Sequence, residues 1–205
     1  MADQSSGKGR PHHRPAPRTA DFFAAFAGGD ADPERLREAG DRAAHLLVRG
    51  ARESGDADVA DRLVHLADTE GIEAIAEVWS GSTPDSLAGC LWRLYLLRSW
   101  VYADPAGVAR EFEAGRASAQ VARVVAGVAD PPGPDQLRAM IDEVLGGIAR
   151  GDFADVLFRA AAFARVVATG RAGLPGTSDV GVRRMLGLAE QLEAAGHVEL
   201  ARGLG

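Results

Sequence analysis

The sequence predicts an all-α protein, either a multi-helix bundle or an irregular array of helical hairpins. Three observations carry this. Val, Ile and Thr do not alternate with polar residues over any strand-length window, and apolar residues recur at i, i+3 and i+4 instead. Capping residues, often Asp, precede most of the apolar stripes. The connections are short and rich in Gly and Pro, which favours antiparallel neighbours. This makes about nine helical segments and no sheet.

Residues 1–20 are rich in Pro, Ser, Gly and His and have little to bury, so they are expected to form a disordered basic leader. Residues 21–205 are expected to form a single helical domain. Its first segment is Asp-Phe-Phe-Ala-Ala-Phe-Ala at 21–27, ended by Gly28-Gly29. Asp32-Pro33 opens the next helix, which carries Leu36, Leu46, Leu47 and Val48. Asp56 caps a third over residues 57–69. Residues 71–79 follow, with Ile72, Ile75, Ala76 and Trp79 on one face. Thr83-Pro84-Asp85 starts a helix that runs to Ala103. Leu87, Leu91, Leu94 and Val101 mark one face, and Trp92, Leu96, Ser99 and Trp100 another. A helix apolar nearly all round belongs at the centre of its domain, so this one is the expected hub.

Asp104-Pro105 starts a helix to Ala114, which Gly115 is expected to break; residues 118–129 form another. Pro131-Pro132-Gly133-Pro134 is the clearest loop. Leu137, Met140, Ile141, Val144, Leu145 and Ile148 then form an amphipathic stripe over residues 135–149. Asp152 caps the helix expected over 153–169, whose alanines allow close approach of a neighbour. Residues 171–178 read as a Gly/Pro loop. Ser178 or Asp179 caps a last helix to Ala195, with a frayed turn beyond it. Asp41-Arg42-x-x-His45-Leu46 recurs as Asp61-Arg62-x-x-His65-Leu66, but no 34-residue repeat holds.

The 205 residues carry a net charge of −6. Lys8, Arg10, Arg14 and Arg18 against Asp3 give residues 1–19 a net +3, which leaves the remainder at −9. An acidic body argues against an extended nucleic-acid footprint. Cys90, the only cysteine, excludes an intramolecular disulfide and reads as a small buried hydrophobe. Arg93 and Arg98 interrupt the longest apolar run, so no membrane span is expected, and a cytoplasmic location fits.

No dinucleotide-binding, phosphate-loop or nucleophile-elbow motif is present, so no catalytic residue or cofactor is assigned. Asp41/His45 and Asp61/His65 have i, i+4 spacing, which reads as surface pairing and not a metal site. Four arginines, Arg93, Arg98, Arg159 and Arg165, lie in the two most apolar helices. Each must find an acid, such as Asp61, Asp142, Glu143 or Asp155, snorkel to the rim, or line a wet cleft. All tryptophans and tyrosines fall between Trp79 and Tyr102. The candidate binding cluster is therefore Trp92, Arg93, Tyr95, Arg98, Trp100 and Arg165, because Trp, Tyr and Arg dominate interface hot spots.

Leu-Trp-Arg-Leu-Tyr at 91–95, the Val-Ala-x-Val-Val-Ala-Gly-Val-Ala-Asp-Pro-Pro-Gly-Pro run at 121–134, and Ala-Ala-Ala-Phe-Ala-Arg-Val-Val-Ala at 160–168 resemble an uncharacterised family of small helical proteins. That family comes from GC-rich Gram-positive bacteria, and its members are often named for the RNA polymerase β subunit. A polymerase large subunit is several times longer, and its catalytic loop uses Asn, which this chain lacks. The resemblance implies a bacterial cytoplasmic setting and a link to transcription. The expected function is a non-enzymatic α-helical interaction module, an adaptor or regulator whose partner is another protein, with a homodimer as an open alternative. The competing expectation is a small-molecule- or anion-binding protein or enzyme, with a cleft between the 85–103 and 153–169 helices.

Overall fold

The computed structural model describes residues 33–50, 68–69, 72–116, 118, 133–150 and 152–205. The expectations for residues 1–32, for most of 51–71 and for 119–132 lie outside the described residues, His65 and Asp61 among them. Most of the described residues are helical, and none is in a strand. The elements are α1 (Pro33–His45), a π-helical turn (Leu46–Gly50), α2 (Ile72–Trp79), α3 (Leu87–Ala103), α4 (Pro105–Arg116), α5 (Pro134–Arg150), α6 (Phe153–Gly173) and α7 (Asp179–Arg202).

Helix α6 forms the spine of one half. Its core residues, Leu157, Ala160, Phe163, Ala164 and Val167, are fully buried. Helix α7 returns along it after the 174–178 loop, with Arg165 paired to Glu193 and the Phe158 ring resting at Gly196. Helix α5 packs antiparallel on another side, with Arg159 beside Glu143 and Gly147 beside Val156. Its predicted stripe, Leu137 to Ile148, is buried throughout.

Helix α4 crosses α6 at backbone contact. A Cβ on Gly170 would lie 1.7 Å from the Glu111 carbonyl oxygen, and one on Gly115 would lie 2.0 Å from that of Val166. Gly115 therefore does not end its helix, as expected from the sequence; it stays helical and lets α6 approach. Phe112 and Phe163 stack beside this crossing at 5.7 Å between centroids. Arg171 closes it with two hydrogen bonds to Glu111, of 2.8 and 2.9 Å.

Helix α3 joins this half to the other. It touches α1, α2, α4, α5, α6 and α7, and one continuous buried cluster runs from Ala43 to Leu204. Trp79 of α2 stacks on Tyr95 at 6.3 Å, and its indole N–H donates to the Gly40 carbonyl of α1 at 3.0 Å. Leu46, one of the apolar residues that the sequence gives this helix, is 66% exposed. Ala44 and Val48 face inward, so Leu46, two residues from each and about half a turn round, faces outward.

Several boundaries differ from expectation for tertiary reasons. Helix α3 starts after Ser86, not at Thr83-Pro84. Ser86 Oγ accepts from Gly89 N at 3.0 Å and donates to Thr83 O at 2.9 Å. The 83–85 turn thus folds back over the bare Cα of Gly89. Asp104 and Asp152 cap α4 and α6 through Gly107 N and Ala154 N. Helix α6 continues to Gly173, beyond the expected Thr169, and α7 runs through residue 195 to Arg202. At that end Glu199, 6% exposed in its side chain, holds Arg49 by hydrogen bonds of 2.5 and 2.7 Å. Glu199 also accepts from Leu204 N at 2.7 Å. Gly203, at φ +76°, turns the chain so that buried Leu204 reaches the core and the Gly205 carbonyl accepts from Leu87 N at 3.1 Å.

Candidate functional site

Helix α3 presents two different surfaces. The buried arc carries Leu87, Leu91, Leu94, Tyr95, Leu97, Arg98 and Val101. The opposite arc carries Leu96, 41% exposed, between half-buried Trp92, Ser99 and Trp100. Trp92, Leu96 and Trp100 are four residues apart and so form one stripe. On one side of the stripe the helix turns inward to Tyr95, which is fully buried and stacks on the Trp79 ring of α2. The other edge carries Arg93, whose Nε donates to Gln191 of α7 at 2.7 Å while Nη1 donates to Gly89 O at 2.8 Å. Burial lowers the Arg93 pKa, and these two acceptors are neutral. Beside Trp100 stands Arg171, with its guanidinium carbon 5.0 Å from the ring centroid.

Arg98 anchors the buried arc. Its side chain is 3% exposed. Nε donates to Asp142 of α5 at 2.9 Å, and the two terminal nitrogens donate to Asp68 at 3.1 and 2.9 Å. Asp142 uses its second oxygen to accept from the Tyr102 hydroxyl, and the Arg98 guanidinium lies 4.0 Å from that ring's centroid. Burial works against the Arg98 charge, but the hydrogen bonds to both carboxylates outweigh it and raise the pKa. Burial, then the hydrogen bond to Asp142, raises that of Tyr102. Two carboxylates thus surround one guanidinium. The arrangement ties α3 to α5 and to the segment at Asp68, and its donors are committed to protein acceptors, which suits structure better than anion capture.

The six-residue cluster predicted from the sequence does not converge on one place. Trp92, Arg93 and Trp100 share the open side of α3, whereas Tyr95 is fully buried and Arg98 is enclosed by its acids. Arg165 belongs to α6 and pairs with Glu193. Arg93 and Arg165 therefore reach α7 at Gln191 and Glu193, about 200° apart around that helix. A depression of about 310 Å³ lies elsewhere, at the α6–α7 loop, lined by Ala172, Leu174, Thr177, Asp179, Val182 and Arg183.

Cys90 is fully buried, and its S–H donates to Pro84 O at 3.4 Å. Burial pushes its pKa up to about 12, which keeps the thiol protonated and poorly nucleophilic. His45 is exposed, and His197 meets the Phe158 ring edge at 5.0 Å. Among the described residues no group of three or more His, Cys, Asp or Glu side chains is arranged to hold a metal ion. No helix among them is long and apolar enough to cross a membrane.

Sequence reasoning named Asp142 and Glu143 as acids for the arginines, and both are so used. It missed Asp68, Glu193, the Glu111–Arg171 pair and the Arg49–Glu199 pair. Asp68 and Arg98 are 30 residues apart, and Arg49 and Glu199 are 150 apart, so no local spacing announces either contact. No protein-family model, curated protein or solved structure matches this chain.

Proposed function

We propose that this protein is a non-enzymatic interaction module, an adaptor or regulator. It binds a partner protein through the open side of α3. The observation that carries this reading is the Trp92–Leu96–Trp100 stripe. It leaves aromatic and aliphatic surface at the exterior of a helix whose remaining sides are packed. Arg93 and Arg171 stand at its edge. Rigid aromatic anchors with neighbouring arginines are the composition of an interface centre. The arginines' engagement with protein acceptors further supports a scaffold over a ligand cleft. A bacterial cytoplasmic setting and a partner in transcription are the finer form of this proposal, and they rest on the family resemblance alone.

The test uses the full chain and its Leu96→Glu variant as paired baits, followed by titration of the recovered protein in purified form. A charge placed on the stripe leaves the packed side of α3 untouched. Recovery of one defined protein by the parent chain, and its loss with Leu96→Glu, is the expected result. Equal recovery by both overturns the assignment of this face. Trp92→Ala should weaken the purified complex by about 2 kcal/mol, roughly thirty-fold in affinity.

A further inference from the structure

We propose that the occupant of the open side of α3 is an acidic amphipathic segment of the partner protein. One of its carboxylates pairs with Arg93, and its apolar residues cover Trp92, Leu96 and Trp100. This rests on the assignment of that side as the binding surface and names the chemistry that fits it.

The charge at the edge of the stripe selects this occupant. Helices α3 and α6 hold five arginines. Four of them meet carboxylates: Arg98 at Asp68 and Asp142, Arg159 at Glu143, Arg165 at Glu193, and Arg171 at Glu111. Arg93 meets none among the described residues. Its Nε donates to the Gln191 side-chain oxygen and its Nη1 to the Gly89 carbonyl, both neutral. Its Nη2 has no acceptor among the described residues. A guanidinium stays charged even where burial lowers its pKa, as it does here. Arg93 is half-buried, so water compensates that charge only in part. The donors left open suit a carboxylate. The chain beyond residue 19 carries −9, yet none of its described acids pairs with Arg93.

Position supports the same partner. Arg93 precedes Leu96 by three residues and Trp100 by seven, so the three fall within an arc of about 60°. Trp92 to Trp100 spans about 12 Å, roughly two turns of helix. A partner helix of similar length, with Asp or Glu one turn from its central apolar residue, matches that layout. Arg171, at the Trp100 end, is already held by two hydrogen bonds to Glu111, so the preference for acid centres on Arg93. A second copy would offer this face the same arginine edge, cation toward cation. Because the rest of the chain is acidic, the attraction is a contact at Arg93 and not a long-range field.

The probe is a library of randomised short helical peptides, displayed on phage and selected on the full chain. Binding is compared with that to Leu96→Ser, which removes apolar surface without adding charge. Peptides that need Leu96 should be enriched in Asp or Glu over Lys or Arg, at a fixed spacing from their apolar residues. Selection on Arg93→Gln should lose that enrichment, and selection on Arg93→Lys should keep it. In the strongest peptide, changing the acid to its amide should weaken binding to the parent about five-fold and leave binding to Arg93→Gln unchanged. Far-UV circular dichroism checks that each variant keeps its helices. Leu96-dependent peptides without an acidic preference, or a preference that survives Arg93→Gln, overturn the proposal and leave the surface assignment standing. A dimer of the parent chain that Leu96→Ser dissolves also overturns it, because a second copy is then the occupant. Absence of any Leu96-dependent peptide overturns the surface assignment itself, and this proposal with it.

Discussion

Replacing Gly170 by alanine sets two principles against each other, and the structure decides the sign. In an unconstrained helix interior, Gly→Ala stabilises by about 1 kcal/mol through backbone entropy and propensity. At Gly170 the new Cβ would lie 1.7 Å from the Glu111 carbonyl oxygen and 2.6 Å from Gly115 N. Real Cβ contacts begin beyond 3 Å, so α4 and α6 must separate by more than an ångström. The obstacle is backbone on a helix, which cannot rotate aside as a side chain does. Separation strains the Phe112–Phe163 stack and the Glu111–Arg171 pair on either side of the crossing. Overpacking of this kind costs about 3 kcal/mol at the upper end of its usual range. Set against the propensity gain, the expected net loss is about 2 kcal/mol, or a fall in Tm of roughly 4–8 °C. Urea unfolding followed by far-UV circular dichroism measures it, with an unchanged m-value as the check that the denatured state is unaltered. Gly187→Ala is the matched control. It lies in α7 with nothing within 4 Å of the new Cβ, and it should be neutral or stabilising. A Gly170→Ala protein as stable as the parent would refute the account of the crossing.

Three further outcomes follow from the buried polar groups. Arg98→Met leaves Asp142 and Asp68 without their shared cation. Because Asp68 is 49% exposed and can return to water, the expected loss is about 2–4 kcal/mol by denaturant titration, not the full cost of an orphaned buried pair. Glu199→Ala frees Leu204 N and Arg49 together. It should cost about 1–3 kcal/mol and speed amide exchange at Leu204 before it does so in α6. Cys90, Tyr95 and Tyr102 all have raised folded-state pKa values, so the folded chain holds protons that the unfolded chain has released. Stability should therefore fall as pH rises above about 9, with each group adding up to about 1.4 kcal/mol per pH unit. For Cys90 the fall ends at about 12, and Cys90→Ala should make the slope shallower between these limits. Thiol labelling at neutral pH should likewise require unfolding.

Much of the helical order was legible because its determinants are local. Asp104, Asp152 and Ser178 cap the helices that they were expected to start. The Leu137-to-Ile148 stripe repeats at helical period and is buried along its length. The two sides of α3 were also separable: the Trp92, Leu96, Ser99 and Trp100 face read from the sequence is the partly open one. What failed was inference from residue type alone. Gly115 and the 171–178 run look like breaks, yet Gly115 remains helical and α6 extends to Gly173. Tyr95 and Arg98 stood in the candidate binding cluster, yet Tyr95 is fully buried and Arg98 is spent on a structural pair with Asp142 and Asp68.

The sequence by itself determined the all-helical class, the capped starts of several helices and the amphipathic faces, because cap chemistry and period act over a few residues. It also determined the charge contrast between residues 1–19 and the rest. Only the tertiary structure decided which acid each arginine meets, why two glycines sit inside helices, and how Glu199 holds Arg49 and Leu204 together. Those outcomes depend on contacts between residues up to 150 positions apart. At such separations each partner is set by how whole helices pack, and no short window of sequence encodes it.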